Sequence, residues 1–262
     1  MRPAAACVAA GVLLFGACGQ TLAAGGCPLS GTHPVAFGEA LAGDRFVTAG
    51  GEEVRLAGIL ALGSGGERVS EGVLARERGA LALRLGARFL TLAFTAEEHD
   101  RYGRVVAQVF ADGEWVQGAI LSSGLARAAP DVATNACAAA LLRAEAIARS
   151  TSVGHWSDGQ FDVVSLDHIM QDGAERAGTF AIVEGVVADA AVVRGRAFLN
   201  YGADYRTDFT VTVAPEDMKN FRAEKLDLRT LEGVRIRVRG WLELYNGPEL
   251  PIAAPGAIEI LE

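Results

Sequence analysis

A five-residue segment, Asp100-Arg101-Tyr102-Gly103-Arg104, places a carboxylate, two guanidinium groups and a phenol directly before an apolar run over residues 105–110. Asp and Gly favour a turn, and Gly also tolerates a positive φ. The β-branched residues after the turn favour a strand. Arg104 stands at the junction, where its planar fork could bind a phosphate or a carboxylate. The alternative is that Arg104 pairs with Asp100 and closes the turn, and spacing alone favours this alternative.

The surrounding pattern predicts short strands and amphipathic helices. Residues 46–48 and 53–59 flank a Gly-rich turn, and residues 88–95 alternate like a strand. Helices are predicted over residues 69–85, 115–125 and 138–149, from apolar positions three and four residues apart. Five strands with a helix between the third and the fourth is the order of an oligonucleotide/oligosaccharide-binding (OB) fold. The fold class predicted is therefore mainly β with helices, or α+β.

The charge balance limits the class of partner. The chain of 262 residues has a formal net charge of −8, and half of its residues are hydrophobic. Neither half has an excess of Lys and Arg over Asp and Glu, and the lysines are Lys219 and Lys225. Contact with a nucleic acid would therefore depend on a local cluster of arginines or on a bridging metal, or it would be weak.

The first residues resemble an export signal. Residues 1–24 combine Arg2 with a short apolar stretch and small residues before a plausible cleavage position at Ala23 or Ala24. The alternative is a lipoprotein signal that ends at Cys18. Both predict a protein outside the cytoplasm, periplasmic or secreted, and in the second case anchored by lipid. No later stretch has the length and hydrophobicity of a transmembrane helix.

The cysteines divide into two groups. Cys7 and Cys18 belong to the predicted leader, whereas Cys27 and Cys137 remain in the mature chain. In an oxidising compartment these two could form a disulfide, and the alternative is two separate thiols. The spacing of the cysteines does not fit a zinc site.

The second half predicts another β domain. Residues 158–178 are polar and poorly periodic, which indicates a linker with one short helix near residues 165–170. Residues 179–262 then predict a five-stranded OB-like barrel. One of its strands carries Arg235, Arg237 and Arg239 at alternate positions, which forms either a basic groove or a solvated face neutralised by nearby acids. If this barrel bound a single strand, its exposed aromatic and basic residues would contribute: Tyr201, Tyr205, Arg206, Trp241 and Tyr245.

Five segments, in this order, resemble the thermonuclease family, the relatives of staphylococcal nuclease. The resemblance covers about residues 35–157 and predicts a staphylococcal-nuclease-like OB domain over residues 33–157, with the C-terminal module often found in exported bacterial members. The segments are Gly43-Asp44; residues 54–59; residues 100–104; Asp112-Gly113 with the helix behind it; and residues 142–149 with Gly154 and Trp156.

The resemblance implies hydrolysis of phosphodiester bonds in DNA or RNA with one calcium ion. It implies that Arg55 and Arg104 are catalytic arginines that bind the phosphate, and that Asp44 is a metal ligand. It also implies that Tyr102 contacts the nucleotide phosphate. The chemistry would be metal-assisted hydrolysis, in which the arginines stabilise the charge that develops on phosphorus.

Two positions depart from the family pattern. Leu60 replaces a metal carboxylate, and Gly63 replaces the Glu that activates water. Calcium takes about six to eight oxygen ligands, so a calcium site around Asp44 is incomplete. Glu67 or Glu71 could substitute, although acidic residues near a helix start also favour the helix dipole.

Three functions are consistent with these residues. The family resemblance favours a nuclease outside the cytoplasm, with activity weakened by Leu60 and Gly63. The second is a catalytically inactive protein of the same fold that binds nucleic acid or another anionic polymer. The third is a module that interacts with an envelope protein. The sequence predicts no particular oligomeric state.

Overall fold

The structure is a computed structural model that describes residues 27–94, 98–202, 204 and 207–261. The predicted leader therefore lies outside the described residues, and so do Tyr205 and Arg206. None of the helices in the described ranges has the length and hydrophobicity needed to cross a bilayer. The observed class is α+β, as the sequence predicts.

The N-terminal half, residues 27–158, combines a large sheet with three helices in its described part. Most of its strands lie in one sheet in the order β1-β6-β7-β4-β3-β2, with β8 beside β7, while β5 pairs with β9. The helices are α1 (Glu71–Leu85), α2 (Val116–Ser122) and α3 (Ala138–Thr151). The strands are β1 (Ser30–Val35), β2 (Phe37–Ala42), β3 (Arg45–Thr48), β4 (Glu53–Leu56), β5 (Ile59–Ala61), β6 (Leu90–Phe94), β7 (Val105–Ala111), β8 (Glu114–Trp115) and β9 (Ala126–Ala128).

The order of these strands is that of the predicted OB-type fold. The parallel pair is β4 and β7, and α1 lies between β4 and β6 in the chain. Strands β1 and β2 stand at opposite ends of the sheet, although only Ala36 separates them in sequence. The hydrogen-bonded path of the described strands does not itself close into a barrel. The sheet and the three helices enclose one apolar core, to which α1 contributes Leu81 and Leu85.

The C-terminal half, residues 159–261, contains two further sheets. Their orders are β10-β11-β15-β18 and β12-β13-β14-β17-β16, and the helices are α4 (Leu166–Arg176) and α5 (Met218–Ala223). The strands are β10 (Val164–Ser165), β11 (Phe180–Val186), β12 (Asp189–Val193), β13 (Arg196–Asn200), β14 (Thr210–Val213), β15 (Arg235–Trp241), β16 (Glu243–Leu244), β17 (Pro248–Pro251) and β18 (Ile258–Ile260).

The predicted linker over residues 158–178 needs a correction. Helix α4 occupies half of it, beginning after Ser165, whose hydroxyl accepts a hydrogen bond from the backbone N–H of His168. Val164 and Ile169 are buried in the core of the C-terminal half. Val164 and Ile169 thus attach this segment to that core, while Met170 and Ala174 on the same helix are exposed.

A disulfide joins Cys27 to Cys137, with 4.5 Å between the two Cα atoms. Of the two alternatives left by the sequence, the structure therefore contains the pair rather than two separate thiols. The bond fastens the first described residue to the 3₁₀ turn that precedes α3, where Cys137 is fully buried.

Of the three arginines of β15, Arg239 joins the two halves, whereas the other two pair within the C-terminal half. Arg235 and Arg237 both pair with Glu184 of the neighbouring strand. Arg239 is only 1% exposed and donates to the Glu145 carboxylate of α3 and to the carbonyl of Ala128. The basic-groove interpretation is therefore wrong, since acids neutralise this face and Arg239 is buried.

A second contact between the halves lies around Arg127. Its guanidinium forms an ion pair with Glu67 and donates to the carbonyl of Phe180 at 2.8 Å. The aromatic rings of Phe161 and Phe180 lie 4.7 Å and 5.2 Å from the guanidinium carbon. The backbone N–H of Phe180 also donates to the carbonyl of Gly65 at 2.7 Å. These contacts place β11 and the end of β15 opposite the loop that follows β5.

Candidate functional site

A cleft of about 710 Å³ lies between the two halves. Every residue that the family resemblance selected for the site lines it: Asp44, Arg55, Tyr102 and Arg104, with Leu60 and Gly63 at the two positions of departure. The turn between β2 and β3 supplies Asp44, and strand β4 supplies Arg55. Strand β5 and the loop after it supply Leu60 and Gly63, and the turn before β7 supplies Tyr102 and Arg104. The C-terminal half supplies the opposite side, with Phe180 and Trp241 among its residues.

The turn before β7 is built on Asp100. Its Oδ1 accepts hydrogen bonds from the backbone N–H groups of Tyr102 and Arg104, and Gly103 takes the positive φ of +78° that the turn requires. Its Oδ2 accepts from Nε of Arg104 at 2.8 Å. Burial opposes ionisation of Asp100, but these hydrogen bonds outweigh it and hold its pKa below the ordinary value. Arg104 thus closes the turn while it lines the cleft.

Arg55 has more unused hydrogen-bond donors than Arg104. Its Nε is buried and has no hydrogen-bond partner among the described residues. The nearest carboxylate oxygens belong to Asp131, at 3.6 Å, and to Asp100, at 4.0 Å, which are ion-pair contacts longer than a hydrogen bond. The Arg55 side chain therefore has donors available for a ligand.

Tyr102 stands at the exposed edge of the cleft, with 68% of its surface accessible. The guanidinium carbons of Arg101 and Arg104 lie 4.8 Å and 5.2 Å from its ring centre. Its hydroxyl also accepts a hydrogen bond from Arg101 at 2.7 Å. Cation–π contacts of this kind hold both guanidinium groups near the rim.

Asp44 does not fit the calcium role. One carboxylate oxygen accepts from the backbone N–H of Ala61 at 3.2 Å and the other from the hydroxyl of Ser64 at 2.9 Å. Burial raises its pKa, although the same hydrogen bonds counteract the rise. In the described ranges no group of three or more His, Cys, Asp or Glu could hold a metal ion. A single buried carboxylate with both oxygens engaged lacks the ligands that calcium needs.

Glu67 and Glu71 do not complete that site. Glu67 forms the ion pair with Arg127 and accepts the backbone N–H of Gly63 at 3.1 Å. It lies before α1, and its ion-pair partner Arg127 belongs to β9. Glu71 is the first residue of α1 and pairs with Arg78 at the surface.

The sequence did not single out two further charged residues of the cleft, Arg45 and Asp131. Asp131 contacts Arg55, and Arg45 lines the cleft while it pairs with Glu53 at 3.2 Å. Asp131 also accepts the N–H of Thr134, an Asx turn that its spacing from Thr134 could have indicated. The position of Trp241 in the cleft depends on how the halves meet, which no local pattern encodes.

Comparison with known proteins supports the family resemblance. Residues 84–158 match the model of a family described as staphylococcal nuclease homologue. A comparison with curated proteins finds no match to the chain. The matched range contains Tyr102 and Arg104, whereas Asp44 and Arg55 precede it. The resemblance to the staphylococcal nuclease homologue family is therefore supported over residues 84–158.

Proposed function

We propose that the protein binds an anionic polymer with phosphodiester groups in the cleft between its halves, without efficient hydrolysis. The placement of Arg55 carries this proposal. It lines the cleft, and the nearest carboxylate oxygens, of Asp131 and Asp100, lie beyond hydrogen-bond distance, so its guanidinium can donate to a ligand. Four arginines of the N-terminal half line the same cleft: Arg45, Arg55, Arg101 and Arg104. They form the local cluster that an otherwise acidic chain needs for a phosphate ligand.

Binding of a fluorescent oligonucleotide at two salt concentrations tests the proposal. We expect the Arg55→Gln variant to bind about tenfold more weakly and to lose about one unit of the salt slope. The matched control is Arg229→Gln, an exposed arginine that pairs with Asp227 outside the cleft. If the two variants lose equal affinity, the ligand does not bind in the cleft.

Calcium-dependent cleavage of DNA or RNA is the second candidate. It is favoured by the presence of Asp44, Arg55 and Arg104 in one cleft, and disfavoured by the occupied oxygens of Asp44 and by Leu60 and Gly63. Cleavage of single-stranded DNA with calcium and with chelator separates the candidates. We expect little or no calcium-dependent product. Rapid cleavage that Asp44→Asn abolishes would replace binding with hydrolysis as the function.

We also propose export to the periplasm or the exterior, with the residues up to Cys18 or Ala24 as the signal. The disulfide supports this, because such bonds persist in oxidising compartments.

In the second half we propose an OB-like module over residues 179–262. It is supported by the antiparallel pairing of β11 with β15 and the parallel pairing of β14 with β17. Docking to an envelope protein remains the alternative role.

A further inference from the structure

The two sides of the cleft differ in chemistry. The N-terminal half contributes all the charged residues of the lining except one, four arginines and two aspartates, together with Tyr102 and some small and apolar residues. The C-terminal half contributes aromatic and apolar residues apart from Arg239, whose charge Glu145 and Glu259 neutralise. The residues of this second side include Phe180, Gly240, Trp241, Pro251, Ala253 and Ala254. A ligand that fits both sides must carry anionic groups along one edge and a flat apolar group along the other.

Trp241 is positioned for contact with such a flat group. Successive residues of β15 alternate between its two faces, so Trp241 shares a face with Arg239, while Ile236 and Val238 lie in the core. Arg239 donates a hydrogen bond to Glu145 of α3, and this hydrogen bond holds the end of β15 against the N-terminal half. Trp241 remains 43% exposed, and the ring of Phe180 meets it edge-on at 6.1 Å and 81°.

We propose that Trp241 stacks on a nucleobase, so that the ligand of the cleft is a single-stranded polynucleotide. This rests on the proposed binding of phosphodiesters. Phosphates would lie on Arg55 and its neighbours, and an unpaired base would lie on the indole. Every base has a π-face, so such stacking favours single strands without strong sequence preference. In a duplex the bases are already stacked, and a polyphosphate has no base for the indole.

Binding by the full chain tests this inference with three probes of equal length: a single-stranded oligonucleotide, the same strand with abasic sugars, and a duplex. Wild type should bind the base-containing single strand most tightly. The Trp241→Ala variant should bind that strand about tenfold more weakly, and the abasic strand as tightly as wild type does. Phe89→Ala removes another exposed aromatic ring, which lies outside the cleft, and it should change neither affinity.

Indole fluorescence gives a second readout that does not depend on the stability of an alanine variant. The base-containing strand should quench the emission of wild type, and the quenching should disappear in Trp241→Phe, which keeps a ring for stacking and most of the affinity. Equal affinity of wild type for the abasic and base-containing strands, or equal losses for both strands in Trp241→Ala, would overturn the stacking role and leave phosphodiester binding intact. Tighter binding of polyphosphate or of duplex would overturn it as well. Failure to bind any phosphodiester strand would contradict the proposed function itself.

Discussion

Arg55 and Arg104 line one cleft but differ in what they already bind. Arg104 donates to Asp100 and so maintains the turn before β7. Arg55 has only ion contacts longer than 3.5 Å, and its Nε lacks an acceptor among the described residues. A substitution of Arg104 therefore alters local structure together with binding, whereas one of Arg55 reports mainly on the ligand.

Asp131 competes with a ligand for Arg55, and its removal should strengthen binding. In Asp131→Asn the amide oxygen can still accept from the N–H of Thr134, so the turn is kept while the negative charge is lost. We expect the affinity for an oligonucleotide to rise by about two- to tenfold at low salt, an effect of the size of one exposed ion pair. Titration at two salt concentrations measures it. Unchanged affinity at low salt would mean that Arg55 does not contact the ligand.

At the scale of elements, one face of β15 carries both the arginines that form ion pairs and the indole of Trp241. Its arginines pair with Glu184, Glu145 and Glu259, and its last residue is Trp241. Burial disfavours the charged form of Arg239, but the two carboxylates outweigh this and raise the pKa of the guanidinium above its ordinary value. The strand is therefore fixed to the N-terminal half through a guanidinium that stays charged.

Loss of the buried Arg239 side chain should lower the stability of the folded protein. In Arg239→Ala the carboxylate of Glu145 loses a partner in the interior, and we expect the free energy of unfolding to fall by about 3–5 kcal/mol. Arg235→Ala, on the same face but 61% exposed at its side chain, should cost less than about 1 kcal/mol. Urea unfolding of both variants measures the difference. Similar losses of unfolding free energy in the two variants would show that burial of the Arg239–Glu145 pair adds nothing to stability.

The elements themselves could largely be predicted from the sequence, because their signals are local. The spacing of Leu81 and Leu85 indicated α1, and Asp100 with Gly103 indicated the turn that the structure contains. The contacts between halves could not be predicted in this way. Arg239 and Glu145 are 94 residues apart, and no periodicity marks such a pair. The same holds for Glu67, whose partner Arg127 is 60 residues away.

At the scale of the whole molecule, the disulfide closes a loop of 110 residues. Its removal in Cys27→Ser should lower the free energy of unfolding by about 2–5 kcal/mol, since the unfolded chain regains the entropy of that loop. Cys27 is the better position for the change because Cys137 is buried in the core. Thermal unfolding with and without reductant measures the effect. A wild-type midpoint that reductant leaves unmoved would contradict it.

The bond between Arg239 and Glu145 has a consequence for inheritance. Glu145 lies within the range that matches the nuclease family, yet one of its cationic partners is encoded far beyond the end of that range at residue 158. A gene fragment that stops at the family boundary would encode an interior carboxylate without that guanidinium. In a transplanted nuclease-type domain, Arg149 alone among the described ion-pair partners would remain to pair with the carboxylate of Glu145. Recombination that separates the two halves would thus be selected against, and they should descend as one unit.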